Sequence, residues 1–302
     1  MNFSTLTFLL LAGSFGAAAA DLAENFDNLK QAVEKKDVAQ VRQLAATASS
    51  QAKEMIAQPS PSGEDEKDAW TKRVAWAKDV EVYTEYALYA TAIQSPPATL
   101  IDLLGTLEKQ NPKSKYLEDA YAPYFAALNS TGAAAKIPAI AEKAVASHPD
   151  NEDVLMVVAE TAMSRKQSQQ AQTYANRLIA VLNKHSKPEG MAAADWERRR
   201  NTFLGRAHWI SGVVAGEKNQ YVECDKNLRA ALPLIKGNDA MMGPALFYLG
   251  VANYNLSKMT LDRRKMMDAY NFSDQASRIN GPYAQQAWRN AATMKTEAER
   301  MR

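Results

Sequence analysis

The chain has few side chains that could perform nucleophilic or metal chemistry, and their spacing favours neither. Its histidines, His148, His185 and His208, lie 37 and 23 residues apart, so no HxxxH or HExxH pair predicts a zinc site. We expect His148, beside Pro149, to be exposed at a helix end, and His208 to pack on a helix face. Cys224 has no histidine or basic cluster close in sequence, which favours a buried structural thiol over a nucleophile. With no Gly-rich phosphate loop, Gly-x-Ser-x-Gly elbow or dinucleotide fingerprint either, we predict a protein that is not an enzyme and binds no cofactor or metal.

The charged residues nearly cancel, with 36 Lys and Arg against 34 Asp and Glu. This balance gives no basic excess that would point to nucleic acid. Two basic runs stand out, Arg198–Arg200 and Arg263–Lys265. Each is open to two interpretations: binding to an acidic peptide or phosphate-bearing surface, or a solvated helix face. We favour the solvated face.

Residues 1–20 carry no charged side chain and resemble a secretory signal peptide. An apolar run from Leu6 to Ala12 is followed by small residues ending at Ala20, after which we expect cleavage. The alternative is an uncleaved N-terminal anchor. Ser14 stands where a lipoprotein signal needs its lipidated cysteine, so no lipid anchor is predicted. We therefore expect a periplasmic or extracellular protein with no membrane span after cleavage.

From Asp21 onward the hydrophobic pattern is that of amphipathic helices, with apolar residues at i, i+3, i+4 and i+7. One such stripe is Tyr174, Leu178, Val181 and Leu182. Short breaks with helix-stopping and capping residues separate the stripes. Examples are Asn111–Pro112, His148–Asn151 and Gly237–Asp239. The chain contains 13 Gly and 12 Pro among its 302 residues, which is too few for a collagen-like chain or a Gly/Pro-rich disordered chain. The pattern predicts an all-α fold.

Internal repeats narrow the kind of all-α fold. A helix–turn–helix unit from Glu118 to Asn151 is followed by a second unit beginning at Glu152, and equivalent small or apolar residues recur 34 positions apart. These equivalent pairs are Ala141 with Ala175 and Ala144 with Leu178. A Leu-Gly step occurs at Leu204-Gly205 and again, 45 residues later, at Leu249-Gly250. The later units are therefore longer.

A 34-residue helical-hairpin period with small residues at fixed positions resembles the tetratricopeptide repeat family. The resemblance implies a right-handed superhelical solenoid of about six stacked hairpins with a C-terminal capping helix. The predicted hairpins lie near 21–57, 65–110, 114–149, 151–184, 191–236 and 239–280, and the capping helix covers 282–301. Each hairpin is too small to bury its apolar face alone, so stacking must do so, with small residues such as Ala171 and Ala175 at the helix crossings.

A solenoid of this kind exposes a concave groove lined by the first helix of each hairpin. By the family spacing, the groove-facing candidates are Glu85, Tyr89, Asn129, Met156, Glu160, Arg206, Trp209, Phe247 and Tyr254. Aromatic and methionine side chains with a few charges suit a protein or peptide ligand. The paired Lys and Asn with which some family members bind C-terminal carboxylates are missing, so that ligand class is not predicted.

We therefore expect an exported, non-catalytic scaffold that binds a protein or peptide through its groove. The alternative is a structural component of a cell-envelope biogenesis, secretion or pilus assembly machine. The helix from Pro282 could cap the array or dock to a second copy of the chain.

Overall fold

The computed structural model describes residues 14–301, and every regular element among them is helical. The described residues form thirteen α-helices and two short 3-10 helices, with no strand, which confirms the all-α prediction. The chain divides into two compact units, the first ending at Ile137 and the second beginning at Pro138. Residues 1–13 of the predicted signal peptide lie outside the described part of the chain.

The first unit contains five α-helices that pack consecutively along the chain. They are α1 (Ser14–Glu34), α2 (Val38–Ile56), α3 (Glu64–Ile93), α4 (Pro97–Gln110) and α5 (Tyr121–Ser130), with 3-10 helices at Lys115–Leu117 and Ala134–Lys136. In addition α1 contacts α3, and α2 contacts α4. Helix α1 runs without a break past Ala20, and its Leu22 and Leu29 are fully buried.

The second unit contains the remaining helices, again with neighbours in sequence packed together from α7 to α13. They are α6 (Ile137–Ala144), α7 (Glu152–Ser164), α8 (Ser168–Lys184), α9 (Ala193–Glu217), α10 (Tyr221–Ala231), α11 (Asp239–Thr260), α12 (Arg263–Ser277) and α13 (Ala284–Arg300). Alternate helices also touch in series, α7 with α9, α9 with α11 and α11 with α13. The predicted stripe on α8 lies in this unit's core.

Side-chain caps mark several of the predicted breaks. The Asn151 side chain accepts a hydrogen bond from the Val154 N–H at 3.1 Å at the start of α7, and Asn238 accepts one from the Met241 N–H at 3.3 Å at the start of α11. Such a bond satisfies a backbone donor that has no partner within the helix. The predicted helix starts at these two asparagines are confirmed.

Small residues allow close helix contacts in the second unit. Ala171 and Ala175 are fully buried, as expected for crossing positions. Gly212 on α9 lies against Leu228 on α10, and a Cβ at Gly212 would be 2.5 Å from Leu228 Cγ and 3.1 Å from the Leu228 backbone nitrogen. At Gly205 a Cβ would lie 2.8 Å from Leu234 Cβ. Because the opposing atoms include backbone, these contacts tolerate no added methyl group without a shift of the helices.

We expect Gly212→Ala to lower the free energy of unfolding by about 1–3 kcal/mol, the usual cost of overpacking a tight contact. Gly243→Ala in α11 is the matched control, because its added Cβ would meet Ile279 Cγ2 at an ordinary 3.5 Å. The control should be neutral or more stable by about 0.5–1 kcal/mol, since alanine loses less backbone entropy in a helix. Denaturant unfolding followed by circular dichroism measures both. Equal stabilities for the two variants would contradict the tight α9–α10 contact.

Candidate functional site

A surface pocket of about 390 Å³ lies in the second unit, where α7, α9 and the start of α11 meet. Three of the sequence-predicted groove residues, Glu160, Arg206 and Trp209, line it together. The remaining lining residues are Met163, Ser164, Ile210, Asn238, Ala240 and Met241. The pocket combines an apolar wall with a pair of opposite charges, a composition typical of sites that bind a side chain of a ligand.

The charges in the pocket come from an ion pair between Arg206 on α9 and Glu160 on α7. Burial raises the pKa of the Glu160 carboxyl above its ordinary value, and the neighbouring Arg206 guanidinium offsets part of that rise. A raised pKa means that the folded protein stabilises the ionised carboxylate less well than water does. Glu160 can therefore gain from a hydrogen-bond donor that a ligand supplies.

Trp209 is fixed in the pocket wall by its indole nitrogen. Nε1 donates a hydrogen bond to the Met241 backbone oxygen at 2.8 Å, and the ring is half-buried. Met241 belongs to the first turn of α11, whose cap is Asn238. The hydrogen bond thus ties α9 to the beginning of α11 and holds the ring in one orientation for a ligand.

The other candidates in this unit do not reach the pocket lining. Met156 exposes only 4% of its surface and belongs to the hydrophobic core that also contains Leu155 and Ala159. Phe247 packs against Tyr283 with ring centroids 4.7 Å apart. The Tyr254 hydroxyl donates to Glu297 Oε1 of α13 at 3.0 Å. Phe247 and Tyr254 therefore contact the C-terminal helix and the residue that precedes it.

The three candidates in the first unit are spread over different surroundings. Glu85 exposes only 6% of its surface and accepts a hydrogen bond from Asn111 Nδ2 at 2.7 Å. Tyr89 is half-buried and stacks on Tyr116 at 5.6 Å between centroids. Asn129 is exposed near the end of α5. None of these three residues lines the pocket around Glu160, Arg206 and Trp209.

Sequence reasoning missed six lining residues of the pocket. Met163 and Ser164 follow Glu160 by three and four positions, and Ile210 follows Arg206 by four. Helical neighbours at these spacings share a face, so the predicted residues themselves carried this signal. Asn238, Ala240 and Met241 had no such signal, because they enter the pocket only through the packing of α11 on α9.

The expected exposure of His148 is wrong. This residue lies between α6 and α7 and exposes only 5% of its surface. Its backbone nitrogen donates to the Ala144 oxygen at 2.8 Å, and its oxygen accepts from the Asn151 nitrogen at 3.2 Å. His208 packs on a helix face as expected, with Nδ1 donating to Asn227 Oδ1 at 2.9 Å. No group of three or more metal-ligating side chains occurs among the described residues.

The basic run Arg198–Arg200 is engaged in contacts within the protein. Burial lowers the pKa of the Arg199 guanidinium, but its bonds to Asp153 at 2.7 Å and to Glu152 at 3.4 Å outweigh this effect and raise the pKa above its ordinary value. Arg200 donates to the Leu182 carbonyl oxygen at 3.0 Å. The Arg199 and Arg200 guanidinium groups join α9 to α7 and α8, so the expectation of a solvated face is wrong for these two residues. Arg198 is exposed, as expected, and pairs with Asp195 of the same helix.

A comparison of the chain with the models of known protein families and with curated proteins finds no match. Along the described residues, none of the helices combines the length and the apolar character that crossing a membrane requires.

Cys224 provides a chemical test of the fold around the site. Its thiol is fully buried on α10, as predicted, and burial raises its pKa to about 12. Because the thiolate is the reactive species, we expect no labelling by an aromatic disulfide reagent at pH 8 until the protein unfolds. An Ala180→Cys variant, with a second thiol on the exposed face of α8, should label once per native chain. If native Cys224 reacted as fast as the thiol at position 180, the burial of α10 would be refuted.

Proposed function

We propose that this chain is a non-catalytic binding protein of the tetratricopeptide-like class, a right-handed superhelical solenoid of stacked hairpins that scaffolds protein–protein contacts. The repeat spacing in the sequence supports this class. Consecutive packing from α1 to α5 and from α7 to α13, with α7, α9 and α11 also in series contact, is the pattern that stacked hairpins produce. The helices in series are the first members of the predicted hairpins.

The single observation that carries the proposal is the pocket around Glu160, Arg206 and Trp209. All its walls come from α7, α9 and the start of α11, the helices that line the groove in a repeat solenoid. A volume of about 390 Å³ accommodates one or two ligand side chains rather than a whole folded partner. The expected ligand is thus a peptide segment of a partner protein.

The chemistry of the walls defines which peptide fits. Trp209, Met163, Ile210 and Met241 offer an aromatic ring and flexible apolar side chains for a large apolar residue of the ligand. The Arg206 guanidinium can donate to a peptide carbonyl oxygen, while Glu160 can accept from a peptide N–H or a cationic side chain. We propose an apolar anchor residue followed by polar contacts to this ion pair.

We also propose that the protein is exported and that cleavage near Ala20 releases a chain that begins at Asp21. The uncharged sequence of residues 1–20 supports export. A mature chain of this length keeps Leu22 and Leu29, the buried residues of α1. The groove would then act in the periplasm or outside the cell.

The pocket is tested with peptides selected from a random library on the immobilised protein. Affinities of the selected peptides are measured by calorimetry for wild type, Trp209→Ala and Arg206→Gln. We expect Trp209→Ala to weaken binding by about 2 kcal/mol or more, as for a central aromatic anchor. Arg206→Gln should weaken it by about 1.5–3 kcal/mol, the worth of a hydrogen bond to a charged group.

Trp288→Ala is the matched control, because Trp288 on α13 is 66% exposed and lies outside the pocket. It should leave every affinity unchanged. The proposal is wrong if the library yields no binding peptide. It is also wrong if the selected peptides bind Trp209→Ala and Arg206→Gln as tightly as wild type.

Export is tested by expressing the full chain in a bacterium and sequencing the N-terminus of the recovered protein. We expect a mature protein that begins at Asp21 in the periplasmic fraction. Ala20→Arg places a large charged side chain at the predicted cleavage position, where small residues are required, and should block processing. Recovery of the wild-type chain with residues 1–20 intact would favour the uncleaved anchor instead.

A further inference from the structure

Four helix–helix turns of the protein share one backbone geometry. In each, a single non-glycine residue with positive φ precedes the N-cap of the next helix: Lys36 (55°), Lys166 (58°), Asn219 (58°) and Leu261 (53°). The first three residues are polar, which suits a solvated turn. Leu261, between α11 and α12, is the exception.

Neither backbone geometry nor packing explains a leucine at position 261. The left-handed region is uncommon for non-glycine residues and favours asparagine, the residue at position 219. The Leu261 side chain is 82% exposed, and Met259, two residues earlier, is 73% exposed. These are the largest exposed fractions among the large apolar side chains that the structure describes. The turn therefore presents an apolar tip to solvent at a cost that the fold does not require.

We define the tip as residues 258–265. Within it, basic residues flank the exposed apolar side chains of Met259 and Leu261. Arg263 and Arg264 are exposed, Lys265 is half-buried, and neither Arg264 nor Lys265 forms a side-chain ion pair with any residue that the structure describes. Lys258 is paired with Glu297 of α13. Asp262 is used as the cap of α12 and accepts from the Arg264 N–H at 2.8 Å.

The basic residues of the tip have fewer partners within the protein than those of the run Arg198–Arg200. The guanidinium groups of Arg199 and Arg200 bond to side chains and a carbonyl oxygen of α7 and α8. At the tip, Arg263 makes only a 3.4 Å contact with the Ala298 carbonyl oxygen. The charges of Arg264 and Lys265 are thus available to an external anion. Residues 258–265 contain four basic side chains and one acidic side chain, Asp262, so their formal charge is +3.

We propose that the tip docks the protein on an anionic lipid surface. Met259 and Leu261 insert among the acyl chains just below the headgroups, and Arg263, Arg264 and Lys265 contact the lipid phosphates. Apolar side chains flanked by cations are the combination that binds an anionic bilayer interface, where each component alone is weak. This activity is separate from the peptide pocket and does not depend on it.

The test is co-sedimentation of the full chain with vesicles of pure phosphatidylcholine or of phosphatidylcholine with 30% phosphatidylglycerol. The apolar segment of residues 6–12 is common to every variant, so binding is scored as the gain on anionic over neutral vesicles. The double variant Met259→Gln with Leu261→Asn should lose about tenfold or more of the partition coefficient. Arg264→Gln with Lys265→Gln should lose roughly tenfold to thirtyfold.

The matched control is Val222→Gln, which removes an apolar side chain that is 65% exposed beside the α9–α10 turn. It should bind as wild type does. Asparagine is well suited to positive φ, so the Met259→Gln and Leu261→Asn double variant, called the apolar-tip variant, should lose binding with unchanged thermal stability. A Leu261→Cys variant that carries an environment-sensitive dye should brighten on anionic vesicles and not on neutral ones.

Three outcomes would overturn the proposal. One is equal binding of the wild type to neutral and anionic vesicles. A second is that the apolar-tip variant binds anionic vesicles as strongly as the wild type does. The third is concentration-dependent self-association of wild type that Leu261→Asn abolishes without any effect on vesicle binding, which would make the tip a contact between copies of the chain.

Discussion

The second unit depends on how closely its helices approach one another around α9. Glycines at positions 205, 212 and 216 of this helix meet side chains and backbone of other segments at distances where a Cβ would not fit. At Gly216 that Cβ would lie 2.5 Å from Tyr248 Cδ1 of α11. Close approach brings many atoms into van der Waals contact, which stabilises the packed helices. It also sets the distances between α7, α9 and α11, and with them the shape of the pocket.

The same helix contributes both to stability and to the site. Arg199 and Arg200, near its beginning, bond to α7 and α8 and stabilise the packing of these helices. Arg206, farther along, pairs with Glu160 in the open wall of the pocket. The difference arises from position: the first two meet partners that fully engage them, whereas the Glu160–Arg206 pair remains accessible. Identical residue types thus have different roles according to the surface that each faces.

Three of the groove residues that the sequence proposed come together in the candidate pocket, and the other six lie elsewhere. Glu160, Arg206 and Trp209 line one pocket, as their assignment to a common groove implies. Met156 is on the same helix as Glu160 but is buried. The two residues are four positions apart and therefore share one face of α7, so helix periodicity does not separate them. They differ in what packs against that face at each level: core residues cover Met156, whereas the pocket opens at Glu160. Only the positions of the neighbouring helices decide this.

Amino-acid sequence alone determined the helical class, the starts of α7 and α11, and the burial of Cys224 and of the small residues on α8. These features follow from side-chain periodicity and capping groups within a few positions of each residue. Tertiary structure alone decided that His148 is buried, that the chain divides after Ile137, and that Met241 joins Trp209 across two helices. Such features depend on contacts between segments far apart in the chain, whose crossing geometry no local pattern encodes.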